Sequence, residues 1–147
     1  MSRAHKYEII PATLEHARRL ASVMRPADAA EAWAAARWAP LDALVSSLGC
    51  TRDPRAGLVD GRVACIFGVG EWCVLTDRGI PWMLTSPEIE RHARVFLRAS
   101  RTYVEDLKTR YRILENYVDA RNVKAIQWLA WLGFAVDPAK PFGPDRL

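Results

Sequence analysis

The side chains that could do chemistry are scattered along this chain rather than clustered. His5, His16 and His92 lie far apart and form no ligand pair at helical or strand spacing. Cys50, Cys65 and Cys73 are odd in number and never in a CxxC spacing. Neither a zinc site nor a disulfide framework is suggested, and buried free thiols in a reducing compartment are expected. No nucleophile elbow, P-loop or metal-ligand cluster is present. Glu71, after a predicted strand, is a carboxylate of the type a general base requires. Asn122 precedes an apolar-periodic segment, where its carboxamide can accept from the free N–H groups of a first helical turn. Ser86-Pro87-Glu88 combines a capping serine, a proline at the first helical position and an acid in the first turn. Arg91, Arg94, Arg98 and Arg101 form a stripe opposite Ile89, Phe96 and Leu107, and Glu105 shares it. A solvated polar face accounts for that stripe, and four arginines are a modest footprint for nucleic-acid phosphates or an acidic partner.

The elements that would position these groups follow from periodicity. Ile9-Ile10 before Pro11 predicts a first strand over 6–10. Thr13 can cap a helix over 14–24, with Leu14, Ala17, Leu20, Ala21 and Met24 on one face. Pro26 and Asp28 punctuate before an Ala-rich helix through Glu31, Trp33 and Ala36. Pro40 opens a third helix carrying Leu41, Leu44, Val45 and Leu48, closed by Gly49. Asp60-Gly61 is a hairpin dipeptide between β runs at 57–59 and 62–69. Residues 72–75 extend a strand or cover its end, and Ile80–Thr85 is a further buried strand with Pro81 near its start. From Ser86 an apolar repeat runs through Ile89, Ala93, Phe96, Ser100, Val104, Leu107 and Tyr111, predicting one helix to about residue 110. Leu114–Val118 is a strand, 123–132 a helix capped by Asn122 and closed by Gly133, and 134–136 the start of a last strand. The order predicts an α/β protein, a mixed sheet flanked by helices, in a single domain spanning 1–147 without repeats.

Composition limits the classes of function. The 147 residues are 50% hydrophobic and 26% charged, typical of one soluble domain with a core of its own. The longest uncharged run, 125–136, is far short of the ~20 residues of a membrane span, and no signal-peptide apolar core follows Met1. Twenty-one basic against 17 acidic residues leave a net charge of +4, with the signs mixed along the chain, which does not of itself imply a nucleic-acid partner.

Residues 117–134 carry a resemblance to the Gcn5-related N-acetyltransferase (GNAT) fold. Asn122, Ala125, Leu132, Gly133 and Phe134 fit the pattern of the family's fifth strand and fourth helix. Ile10-Pro11-Ala12-Thr13 and the Asp60-Gly61 hairpin match two further family habits. The resemblance implies a sheet splayed between its fourth and fifth strands, with acetyl-CoA as cofactor. Asn122 would then contact CoA, and Trp82, Met83 and Leu84 would offer strand-edge backbone to pantetheine; helix capping and strand burial explain the same residues without a cofactor. Two departures stand against transferase chemistry. The family holds pyrophosphate in a glycine-rich loop, where free N–H groups meet the anion. Here that place reads Thr85-Ser86-Pro87-Glu88-Ile89-Glu90-Arg91: no glycine, one N–H lost to Pro87, another available to Ser86, and two carboxylates set where phosphate would lie. The family's proton-donating tyrosine, seven residues after the asparagine, is Leu129; Tyr111 and Tyr117 are near in sequence but have nothing specific to recommend them. No catalytic residue is therefore assigned.

Pro81-Trp82-Met83-Leu84, the Arg-rich helix with His92, Phe96 and Tyr103, and the run 114–122 are similar to the internal virion protein A family of short-tailed bacteriophages. That resemblance implies a virion-associated structural protein, in the host cytoplasm before assembly. It would act mainly through contacts with portal, connector or internal head proteins, with acetyl-CoA a cofactor only if activity persists. The alternative is an active N-acetyltransferase modifying a host or phage amine. Six tryptophans supply candidate contact anchors, Trp128 and Trp131 among them.

Overall fold

The computed structural model describes residues 4–51, 53–71, 78–116, 118 and 121–137. Strand β1 (Tyr7–Pro11) is followed by helices α1 (Leu14–Ala21), α2 (Pro26–Ala36) and α3 (Pro40–Gly49). Strands β2 (Arg55–Val59), β3 (Arg62–Glu71) and β4 (Arg78–Thr85) come next, then α4 (Glu88–Arg91) and α5 (Ala93–Arg110). The short β5 (Ile113–Leu114) and α6 (Val123–Trp131) complete the order. The five strands form one mixed sheet in chain order, antiparallel from β1 to β4, with β5 parallel to β4.

Most predicted elements form, and their boundaries have local causes. Thr13 caps α1 as expected: its hydroxyl accepts from the His16 amide, while the His16 ring accepts from the Thr13 amide. That helix stops at Ala21 rather than residue 24. Asp60 and Gly61 both have positive φ, 49° and 81°, as a two-residue hairpin turn between right-twisted strands requires. A register shift beside Gly57 and Leu58 leaves both Ala64 and Cys65 in the cluster beneath α5.

Three expectations are corrected. The single helix to residue 110 breaks at His92 (φ −120°, ψ 30°), giving α4 and α5. The fifth strand is two residues long rather than five. Phe134–Val136 form no strand among the described residues. Residues 72–75 and Tyr117 lie outside the described residues.

The two faces of the sheet carry separate cores. On one, Ala17, Leu20 and Met24 of the α1 region and Leu44 of α3 pack with Ala56, Leu58, Val63 and Ile66, joined by Trp82 and Leu84. On the other, Val59, Ala64 and Cys65 pack with Ile89 and Phe96, joined by Phe67, Met83 and Trp128. Burying a Leu- or Phe-sized side chain contributes about 1.5–3 kcal/mol, so these clusters fix the frame around β4. The stripe Arg91, Arg94, Arg98 and Arg101 is exposed, opposite buried Phe96, Val104 and Leu107.

Candidate cofactor cleft

β4 and β5 pair at only two positions, Arg78 with Ile113 and Gly79 with Leu114. Among the described residues the ladder goes no further. The Gly79 carbonyl accepts from the Glu115 amide at 3.1 Å, and the Pro81 carbonyl from Asn116 Nδ2 at 2.9 Å. Alternate residues of a strand direct their N–H and C=O to the same side, so Met83 also presents both groups to this edge. They have no partner among the described residues. Met83 packs its side chain beneath α5, while Trp82 and Leu84 pack on the opposite face. Trp82 also donates its indole N–H to Thr51 Oγ1 at 2.7 Å.

At the C-terminal end of β4 the edge is closed by α2 and the residue before it. The Arg25 amide donates to the Thr85 carbonyl at 2.6 Å. Asp28 Oδ2 accepts from the Thr85 amide at 2.9 Å and the Thr85 hydroxyl at 2.5 Å. Asp28 Oδ1 accepts from Arg25 Nη2 at 3.0 Å and Asn122 Nδ2 at 3.2 Å. Asp28, Thr85 and Asn122 are all buried.

Asn122 sits at the centre of this network. Its Oδ1 accepts from Arg25 Nη2 at 2.6 Å and, as the cap of α6, from the Ala125 amide at 3.4 Å. Its Nδ2 donates to Asp28 and to Glu31 Oε2 at 3.0 Å. A carboxamide offers two donors and one oxygen with two lone pairs, so all four positions are occupied within the chain.

The start of α4 differs from its sequence reading. Ser86 is buried and its hydroxyl caps nothing; the backbone carbonyl of Ser86 accepts from the Ile89 amide instead. The two carboxylates are turned aside and neutralised. Glu88 takes a bidentate contact from Arg62, with Nε at 2.9 and 3.1 Å from its two oxygens, and this pairing lowers the glutamate's pKa and raises the arginine's. Glu90 is bonded by Lys124 at 2.9 Å and approached by Arg25 at 3.5 Å, and its pKa falls chiefly through Lys124.

The structure thus leaves Met83 on the outer edge of β4 and ties Asn122 through Asp28 to Thr85, while Trp82 and Leu84 pack on one sheet face and Ser86 is buried just after the strand, its amide bonded to Ala64. Glu71 ends β3, and its side chain lies outside the described residues. Arg25 and Asp28 are what sequence reasoning missed: punctuation between helices gives no sign of a charge pair destined for the end of a distant strand. The thiols also divide, since Cys65 is buried but Cys50 is exposed, against the expectation of burial. Cys73 lies outside the described residues. Among the described residues no group of three His, Cys, Asp or Glu side chains could hold a metal. No helix among them is long and apolar enough to cross a membrane.

No protein-family model matches this chain, and no curated protein matches it. Solved structures do. The aminoglycoside acetyltransferase AAC(6')-Ib in complex with coenzyme A aligns over 96% of this chain and 90% of its own, at 16% identity and a TM-score of 0.62. An acetyltransferase of the GNAT family from Streptococcus pneumoniae covers 92% and 89%, at 11% identity and 0.61. The ribosomal-protein-S18-alanine N-acetyltransferase from Escherichia coli covers 90% and 80%, at 19% identity and 0.59. These likenesses define the class: the chain has a GNAT-like acetyltransferase fold.

Acetyl-CoA is the cofactor that the sequence resemblance implies, and the two ends of the β4 edge fit it differently. The Met83 N–H and C=O, unpartnered among the described residues, match what an amide-bearing chain such as pantetheine needs. The phosphate end does not fit a pyrophosphate as folded, because Asp28 occupies the Thr85 amide and Asn122 has no donor left.

Proposed function

We propose that this protein is a virion-associated bacteriophage protein that uses the acetyltransferase scaffold as a binding body. It acts chiefly through contacts with portal, connector or internal head proteins, near the head–tail junction or inside the head. The observation that carries this reading is the exposure of three tryptophans: Trp33 is 50%, Trp38 43% and Trp131 44% accessible. The Arg37 guanidinium lies 5.2 Å above Trp33, and that of Arg101 4.0 Å above Trp131. Tryptophan and arginine are favoured anchors of protein interfaces, and exposed Leu41 and Val45 on α3 extend the apolar surface. The particle itself is suggested by the sequence resemblance of 81–84, the Arg-rich helix and 114–122 to the internal virion protein A family. Nucleic acid gains no comparable support, since the exposed arginine stripe needs only solvent. Mass spectrometry of density-purified virions tests the reading. Stoichiometric peptides from this chain are the expected result, and their absence overturns it.

A second reading, an N-acetyltransferase acting on a host or phage amine, is favoured by the Met83 N–H and C=O, unpartnered among the described residues. Acetyl transfer from acetyl-CoA in an infected-cell extract, lost when this chain is depleted, would establish it in place of the first.

A further inference from the structure

Four donors converge on the Asp28 carboxylate: the Thr85 amide and hydroxyl on one oxygen, Arg25 Nη2 and Asn122 Nδ2 on the other. They come from β4, from the residue preceding α2 and from the cap of α6. Largely buried, and with one guanidinium among neutral donors, this set is what a carboxylate or phosphoryl group needs in order to leave water, with Glu31 and Glu90 as the further carboxylates that meet Asn122 and Arg25. Two further buried atoms beside it, Arg25 Nε and Ser86 Oγ, have no partner. The four donors fill the acceptor sites of an aspartate, and those two atoms are further donors that an anion with more oxygens would have within the same residues or the next one along.

We propose that the Thr85–Arg25–Asn122 cradle is an anion-binding site in which Asp28 is the resident internal ligand, so that α2 is a strap closing the phosphate end of the cleft. An external phosphoryl or carboxylate group and Asp28 are alternatives for the same donors. The inference rests on the cleft geometry and not on where the protein acts, so it can fail while the virion role stands, and the reverse.

The physical basis is the cost of an uncompensated buried charge. Removing Asp28 takes the nearer carboxylate from the Arg25 guanidinium, which is 12% accessible and keeps only Asn122 and a 3.5 Å approach to Glu90, and it leaves the Thr85 amide and hydroxyl unpaired. An anion that restores those bonds binds the folded state alone and raises its melting temperature.

The experiment compares wild type and Asp28→Ala by thermal melting in formate, inorganic phosphate or chloride at matched ionic strength. The variant is expected to melt below wild type in chloride and to recover several degrees in formate or phosphate, while wild type gains nothing over chloride. Asp28→Ser, which leaves room and offers Thr85 a hydroxyl, repeats the comparison where the alanine variant does not fold. No gain over chloride in either variant overturns the proposal, as does an equal gain in wild type. CoA added to the same variants separates the sources: a larger gain with CoA than with equimolar phosphate assigns the cradle to a nucleotide cofactor, a smaller one to a free anion.

Discussion

The His5 imidazole lies 2.8 Å from the Asp60 carboxylate and joins residues fifty-five positions apart. The same carboxylate accepts from the Lys6 amide at 2.8 Å, so the turn between β2 and β3 is tied to the chain entering β1. Asp60 therefore does two things: it adopts the positive φ of the turn, and it satisfies the backbone beside the edge strand.

This pairing gives stability a dependence on acid. The His5 hydrogen bond first, and the Lys6 amide second, hold the Asp60 carboxyl at about 2, against an ordinary 3.8. A lowered carboxyl pKa means that folding favours the ionised form. Its contribution is present above 3.8 and is lost as pH falls toward about 2. Asp60→Asn, which tolerates the turn conformation, is expected to melt slightly below wild type at neutral pH. Thermal melts of the two proteins should converge across that acid window; a gap that stays constant through it would exclude the ionic account.

Gly57 has no room for a side chain. A Cβ there would lie 2.7 Å from Cys65 Sγ and 2.8 Å from Phe96 Cε1, both in the tightly packed cluster beneath α5. Gly57→Ala is expected to destabilise by about 1–3 kcal/mol through overpacking, read from the denaturant midpoint at unchanged slope. Pairing it with Cys65→Ala should recover part of the loss, because that substitution removes the sulfur.

The thiols should react in a fixed order. Burial pushes the Cys65 thiol up to about 12, so at neutral pH it is a protonated, inaccessible group. Cys50 is exposed at the end of α3. Peptide mapping after brief alkylation of the native protein should find Cys50 modified and Cys65 intact, with Cys65 labelled only in denaturant. Equal native labelling would contradict the packing.

Asn122→Ala separates a cap from a cofactor contact. It removes four hydrogen bonds and leaves the buried Asp28 and Arg25 short of partners, for a loss of about 1–3 kcal/mol in chemical denaturation. Calorimetric titration should show weak or no acetyl-CoA binding in wild type and no further change in the variant. Low-micromolar binding that disappears with Asn122→Ala would reverse this assignment.

The parts of the fold legible in the sequence are those governed by short-range chemistry. Thr13, Asp60-Gly61 and Asn122 each act on their own turn or cap, and each appears where residue type predicts. The stripe from Phe96 to Leu107 gave the buried face of α5 from periodicity alone. What periodicity cannot report is a break such as His92, whose ring meets a residue eighty-five positions away: the Tyr7 hydroxyl lies 2.7 Å from His92 Nδ1. At the end of β4, residue type predicts the Asn122 cap but not its bonding, and it predicts a Ser86 cap that does not form. Asn122 owes its saturation to Arg25 and Glu31, ninety-seven and ninety-one residues away, and no local pattern encodes that meeting.

The two-pair joint between β4 and β5 divides the molecule into cooperative units of unequal strength. Strands β2, β3 and β4 are linked by long ladders, interrupted only at the Gly57–Leu58 register shift, whereas α6 contains no fully buried residue and is held through its cap, Trp128 and exposed contacts of Lys124 and Trp131. Under native conditions the amides of α6 should exchange with solvent through a partial opening of low free energy, while those of β3 wait for global unfolding. By that measure α6 should behave as a separate foldon, opening and re-docking while the four-stranded body keeps its shape.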